Sequence, residues 1–165
     1  MERYRLRPLS EADQDFMLEL YASTRPDLDL LDCDAAMRAQ LIRMQYAAQQ
    51  HHYRSYYPNA SVSVVLDPQD QPIGRMYVDR GPQDIRLVDI SLLPAYRRQG
   101  LGRALLEALL EEGARLGLPV RLSVQDGNPA ARLYQRLGFT PGEQRGLHQS
   151  MEWRAPAPAA SLTHL

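Results

Sequence analysis

The chain has 165 residues, a length that fits one domain able to bury about two-thirds of its unfolded surface. Its 19 Lys and Arg against 20 Asp and Glu give a formal charge of −1, which argues against a protein held on nucleic acid by bulk electrostatics. One cysteine, Cys33, excludes an intrachain disulfide, no His/Cys spacing points to a metal, and no apolar run approaches the ~18 residues of a membrane span. The polar amino terminus lacks the apolar core of a secretion signal, so the expectation is a soluble, cytoplasmic protein that binds no membrane.

Arg3 to Leu9 alternates polar and apolar residues and predicts a strand with one buried face. Ser10, followed by Glu11 and Asp13, reads as a helix cap with acids in the first turn, and Phe16, Leu20 and Tyr21 continue at helical spacing until Pro26 ends the run. RPDLDLLDCD is too broken to assign. A second helix follows from Ala35 to about Tyr53, with Met37, Leu41, Met44 and Ala48 at three-to-four spacing, and an interruption within it is left open.

From there the period becomes extended. Ser61–Leu66, Pro72–Val78 and Ile85–Leu93 are rich in β-branched and large apolar residues, separated by the turn clusters DPQDQ and DRGPQD, and predict an antiparallel meander. Leu101 to about Leu116 is a helix, Pro119–Val124 a strand, Asn128–Gly138 a helix and Gly146–Trp153 a final strand. The Ala/Pro-rich tail, residues 155–165, is expected to be loose, leaving 1–154 as a single domain. The order strand, two helices, three strands, helix, strand, helix, strand or strands is α+β, and Ile85 to Val124 predicts a right-handed parallel crossover in a mostly antiparallel sheet.

The helix starting at Leu101 raises the chemical question. The first N–H groups of a helix lack partners and carry partial positive charge, yet no Ser, Thr, Asp or Asn lies within six residues upstream of Gly102. Gly100 and Gly102 allow close approach to the backbone, and Arg97, Arg98 and Arg103 add charge, so this helix start suits a phosphate or pyrophosphate. The alternative is that the glycines merely turn the chain from strand to helix. A mononucleotide P-loop and a dinucleotide fingerprint both need signatures absent here.

Arg97-Arg98-Gln99-Gly100-Leu101-Gly102 resembles the R/Q-x-x-G-x-G/A signature of the GNAT superfamily of acyl-CoA N-acyltransferases. Asn128 to Phe139, NPAARLYQRLGF, resembles that family's N-x-x-A-x-x-x-Y-x-x-x-G-F segment, in register with the first motif. The likeness is specific from Ile85 to Phe139 and architectural before it. It implies a GNAT-type fold: a mixed, mostly antiparallel sheet with helices on both faces and a splayed parallel strand pair. It further implies acetyl-CoA as cofactor, with the coenzyme A pyrophosphate on the loop Arg97, Arg98, Gln99, Gly100, Gly102 and Arg103. The pantetheine arm would pair with Ile90 to Leu92 and be held by Asn128. Tyr134 matches the tyrosine that protonates the leaving thiolate.

Aminolysis of a thioester expels a thiolate, and a phenol with an ordinary pKa near 10 remains protonated at neutral pH, so Tyr134 is chemically suited to that role. The alternative is packing with Leu133 and Leu137. Asp89, an acid inside the apolar run IRLVDISLL, is the candidate general base, against a reading as a carboxylate hydrogen-bonded within the sheet. HHYRSYY, His51 to Tyr57, has the mix of an acceptor pocket but also suits a surface, and Arg75 and Arg86 read as solvated strand residues.

The resulting expectation is an N-acetyltransferase acting on a primary amine in a ternary complex, with no nucleophilic Ser or Cys motif to suggest a covalent intermediate. The alternatives are a non-catalytic acyl-CoA-binding sensor or regulatory module, and a structural or phosphopeptide-binding domain using the same helix end. The partners are acetyl-CoA and an amine acceptor; a homodimer is left open.

Overall fold

The computed structural model describes residues 3–156. Most of the expected loose tail therefore lies outside the described residues. The chain divides into two compact units that interleave in sequence, one taking Met1–Arg80 and Leu87–Gly102, the other Gly81–Arg86 and Arg103–Leu165.

The first unit holds strand β1 (Arg5–Pro8), helix α1 (Gln14–Ser23), helix α2 (Ala35–Tyr56), strands β2 (Ser61–Leu66) and β3 (Pro72–Arg80), and most of β4 (Ile85–Leu92). β1 pairs antiparallel with β2, and β2 with β3, which neighbours β4. Met17, Leu20 and Tyr21 of α1 meet Ile42 and Tyr46 of α2 over Val64 and Leu66 of β2 to form its core. The unassigned segment after α1 contains a 3₁₀ turn, Pro26–Leu30, that adds Leu28 to this core.

One expectation about a buried face fails here. β1 is shorter than predicted and is an edge strand, so its apolar residue Leu6 stays 46% exposed despite the alternation. α2 forms without interruption, capped by Asp34 Oδ1, which accepts from the Met37 N–H at 2.8 Å. Its buried residues are Ile42 and Tyr46, however, while Met37 and Met44 of the periodic series are exposed.

Ser10 and Asp13 do build a cap, ahead of a 3₁₀ turn, Glu11–Asp13, that leads into α1: the Ser10 N–H donates to Asp13 Oδ2 at 2.9 Å. Arg7 of β1 clamps the same carboxylate with two bonds of 2.8 Å, a partner the local pattern did not reveal. The Arg7 hydrogen bond, working against burial, holds Asp13 well below the usual carboxylate range. A depressed folded-state pKa gives stability that is complete above about pH 4 and is lost as the pH falls further. Asp13→Asn should therefore cost about 2 kcal/mol at pH 7, a value reduced from that of a fully buried pair because Arg7 is 40% exposed. Thermal melts from pH 7 to 3 should show the variant with a flatter acid limb than the native chain.

The second unit holds helix α3 (Leu101–Leu116, from Arg103 onward), strand β5 (Val120–Gln125), helix α4 (Ala130–Arg136) and strands β6 (Thr140–Arg145) and β7 (His148–Trp153). β5 pairs antiparallel with β7, and β7 with β6, a hairpin in which the sequence marked only the second strand. The predicted parallel crossover is present: Ile85 and Arg86, the first residues of β4, pair with Val120 and Arg121 of β5. Arg121 fixes that corner, donating to Asp84 at 3.1 Å and Glu152 at 2.9 Å. Among the described residues the parallel ladder runs no further, and the strand order β1-β2-β3-β4-β5-β7-β6 is that of a mixed, mostly antiparallel α+β sheet. No helix among the described residues is long and apolar enough to cross a membrane.

Candidate active site

In the first unit, alternation along paired strands puts Arg75 and Tyr77 of β3 and Asp89 and Ser91 of β4 at odd positions that share a face. Arg75 is 4% exposed, not solvated as its strand position suggested. Its Nε and Nη2 donate to Asp89 Oδ2 at 3.0 and 2.7 Å, and Nη2 also reaches Gln49 Oε1 of α2 at 3.3 Å. Ser91 Oγ donates to the same Asp89 oxygen at 2.9 Å. Three donor atoms thus converge on Oδ2 and hold the Asp89 carboxylate within the sheet.

Three phenols surround this pair. Burial pushes the Tyr53 phenol up and the Asp89 charge adds to it; burial likewise raises Tyr46 and Tyr77, so all three stay neutral and protonated at physiological pH. Burial alone would lower the Arg75 guanidinium, but the Asp89 charge and hydrogen bond carry it above its ordinary value. Tyr53 stands edge-on to Tyr77 with ring centroids 5.1 Å apart. Of the HHYRSYY cluster, Tyr53 reaches this group, while His51 and His52 remain exposed. The signal for Arg75 was available: an acid inside an apolar strand needs a buried donor, and the neighbouring strand of the hairpin is where to seek one.

The signature loop leaves β4 through a 3₁₀ turn, Pro94–Tyr96. Arg97 Nε donates to the Leu92 carbonyl at 2.9 Å and its Nη2 reaches Ser23 Oγ at 3.3 Å, so this arginine braces the loop against β4 and α1. Gln99 Nε2 donates to Ala95 O at 2.7 Å, and its own carbonyl accepts from Arg3. Arg98 and Gly100 both have left-handed backbones, with φ of 61° and 79°. Glycine adopts that conformation freely, whereas at Arg98 it costs about 1–2 kcal/mol. At Gly102 an added Cβ would meet only Leu92 Cδ1, at 3.9 Å. Leu92 is buried and Ile90 half-buried.

In the second unit, Arg103 is exposed and pairs with Glu107 one turn along α3, Nε to Oε1 2.6 Å. Asn128 Oδ1 accepts from the Ala130 N–H at 2.9 Å, which starts α4 and occupies the amide oxygen locally. Asn128 also lines a groove of about 540 Å³ with Gly127, Pro129, Ala131, Arg132 and Gln135. Tyr134 is buried, 7% exposed, with its ring in edge contact with Phe139, centroids 5.7 Å apart. Among the described residues no group of three or more His, Cys, Asp or Glu could hold a metal.

The sheet order and the two-residue parallel ladder, with the glycine-bearing entry to α3, make a mixed, mostly antiparallel α+β fold. The same fold is found in PaiA N-acetyltransferase from Thermoplasma acidophilum, solved in complex with coenzyme A, with a TM-score of 0.68 and 18% identity over 94% of this chain and 100% of that one. An acetyltransferase from Thermus thermophilus gives 0.66 and 18% over 93% and 98%. The model of the acetyltransferase (GNAT) family matches residues 17–139, and the chain belongs to that family of acyltransferases. Among curated relatives, mycothiol acetyltransferase of Clavibacter sepedonicus is 43% identical over 63 residues, 38% of this chain and 20% of that enzyme. The ribosomal protein bS18-alanine N-acetyltransferase of Escherichia coli K12 is 49% identical over 55 residues, 32% of this chain and 37% of the enzyme. The matched stretches thus span about a fifth to just over a third of those relatives.

Proposed function

We propose that the protein transfers an acetyl group from acetyl-CoA to a primary amine by direct attack in a ternary complex, with residues 1–154 acting as one cytoplasmic catalytic domain. The observation that carries this reading is the loop entering α3. Its left-handed Arg98 and Gly100, and the open space at Gly102, suit an anion seated on backbone N–H groups. Arg98 bears backbone strain at a position whose side chain is exposed, the pattern of strain kept for a ligand site.

In this reading the amides of residues 98–103 hold the coenzyme A pyrophosphate, with Arg97 bracing the loop and the Arg98 and Arg103 side chains adding charge. The backbone of Ile90 to Leu92, beyond the short parallel ladder, pairs with the pantetheine arm, and the Asn128 amide N–H groups serve as donors to it. Bound acetyl-CoA supplies an activated thioester. Tyr134 donates its phenolic proton to the departing sulfur as the C–S bond breaks. Asp89, its Oδ2 fixed by Arg75 and Ser91, offers Oδ1 to the proton that the amine nitrogen releases as the C–N bond forms.

Relatives named for mycothiol and for a ribosomal-protein alanine make it reasonable to test small amines and peptide N-termini together. Calorimetry with coenzyme A should show saturable binding, and thiol release from acetyl-CoA should rise with a panel of alkyl amines, amino acids and an alanine-terminated peptide. Binding without turnover on any amine would instead favour an acyl-CoA sensor, and absence of binding would remove both readings. For the base, the acid limb of the pH-rate profile should disappear in Asp89→Asn; its persistence would take Asp89 out of proton transfer.

A further inference from the structure

The loop between β4 and α3 contains one peptide plane that its own residues leave free to turn. Flipping a peptide unit changes ψ of the residue before it and φ of the residue after it, so a β-carbon on the second residue normally decides which way the N–H points. Gly100 has no β-carbon, and glycine takes φ on either side of zero about equally readily. Its φ of 79° is therefore one of two accessible settings of the Gln99–Gly100 plane. One setting offers an anion on the loop the Gly100 N–H; the other offers it the Gln99 carbonyl oxygen, which repels a phosphate.

The side chain that holds this plane comes from far away in the sequence. Arg3 Nη2 donates to the Gln99 carbonyl, and an added Cβ at Gly100 would meet Arg3 Nη1 at 3.5 Å, so the guanidinium lies against the plane. No peptide bond among the described residues is cis, and in a trans unit the C=O and N–H point in opposite directions. An oxygen drawn towards Arg3 therefore turns the Gly100 N–H away from it. A cationic donor on that oxygen also polarises the unit and strengthens its N–H as a donor.

The first unit keeps Arg3 in reach. Arg5, two residues on, pairs with Leu66 in the β1–β2 ladder and forms an ion pair with Asp70. Asp70 lies in the turn between β2 and β3, which Asp67 Oδ1 organises by accepting from the N–H groups of Gln69 and Gln71 at 2.8 and 2.9 Å. The other Asp67 oxygen accepts from Tyr96 Oη at 3.4 Å, one residue ahead of the signature. One turn thus anchors both the segment that carries Arg3 and the start of the loop that Arg3 reaches. Arg3 itself is exposed, so its contact with Gln99 fills no core.

We propose that Arg3 is a positioning residue of the coenzyme site, locking the Gln99–Gly100 plane so that the Gly100 N–H is presented to the pyrophosphate. This rests on the reading of the loop as the coenzyme A site. It requires no contact between Arg3 and the ligand.

Residual dipolar couplings of the full chain, labelled with nitrogen-15 and free of ligand, read the orientation of the Gly100 N–H directly. In the native chain the coupling should match the plane of the structure. In Arg3→Ala it should be averaged towards zero or change sign, while those of Val64 and Val65 in β2 and the melting temperature stay as they were. Calorimetry should show the coenzyme A dissociation constant of Arg3→Ala raised about tenfold, with nearly the native dependence on salt, because no ion contact to the ligand is lost. An unchanged Gly100 coupling, or an affinity within about twofold of native, overturns the proposal. A loss of affinity with a weaker salt dependence also overturns it and makes Arg3 a direct ligand of the phosphates. A native chain that does not bind coenzyme A removes the coenzyme reading and this role with it, whereas native binding indifferent to Arg3→Ala removes this role alone.

Discussion

Tyr134→Phe is expected to lower turnover by about 100-fold while leaving coenzyme A affinity within about threefold. The substitution isolates the hydroxyl. Tyr134 is 7% exposed and its ring lies edge-on to Phe139, a ring contact that a phenylalanine reproduces. On the proposed mechanism, what disappears is the proton for the leaving group. Expelling a thiolate with no proton donor leaves developing charge unneutralised, and general acid catalysis is worth about 10²–10⁴-fold. Affinity for the coenzyme should hardly move, because the proposed reading places ground-state binding on the loop entering α3 and not on this phenol. Turnover equal to that of the native chain would reduce Tyr134 to a packing partner of Phe139; a parallel loss of coenzyme A affinity would mean the ring had moved. Single-turnover measurements at saturating acetyl-CoA separate these outcomes.

Local signals served the sequence reading well where one segment carries its own meaning. The turns DPQDQ and DRGPQD, the β-branched runs between them and the break in polarity before Leu101 each depend on a few adjacent residues, and the strands and α3 form at those positions. The segment from Asn128 to Phe139 was read by its resemblance to a family motif, and a seven-residue helix, Ala130–Arg136, forms within it. What could not be read was which surface each element meets. Leu6 alternates correctly yet lies on an edge strand, and the Met37, Leu41, Met44 and Ala48 series has helical spacing yet points away from the core. Periodicity reports that a face exists, not what covers it. The same limit hid the Arg7–Asp13 and Arg75–Asp89 pairs. Each joins an arginine to an acid on a different element, and in isolation both arginines look like solvated strand residues. Asp89 stood out because an acid is costly in an apolar strand, and the neighbouring strand of the predicted meander was the place to look for its donors, which come from β3 and β4.

Gly102→Ala should weaken coenzyme A binding about tenfold or more and leave the fold as stable as before, or more so. The two glycines of the signature differ in what they are needed for. Gly100 has φ of 79°, so alanine there would cost about 1–2 kcal/mol of backbone strain whether or not a ligand binds. Gly102 lies within α3, and an added methyl would touch only Leu92 Cδ1 at 3.9 Å, an ordinary contact. Nothing in the folded chain requires glycine at that position, and alanine in a helix is favoured over glycine by about 0.5–1 kcal/mol. If the residue matters, it is because a ligand needs the space. Gly102→Glu sharpens the contrast: a carboxylate near a helix N-terminus interacts favourably with the dipole, so folding should not suffer, yet it should repel a pyrophosphate and raise the coenzyme A dissociation constant by at least about 100-fold. Calorimetry and thermal melts on both variants read the two effects separately. Unchanged coenzyme A affinity in both would mean that the glycines only turn the chain from β4 into α3, and the loop would no longer support an acyl-CoA site.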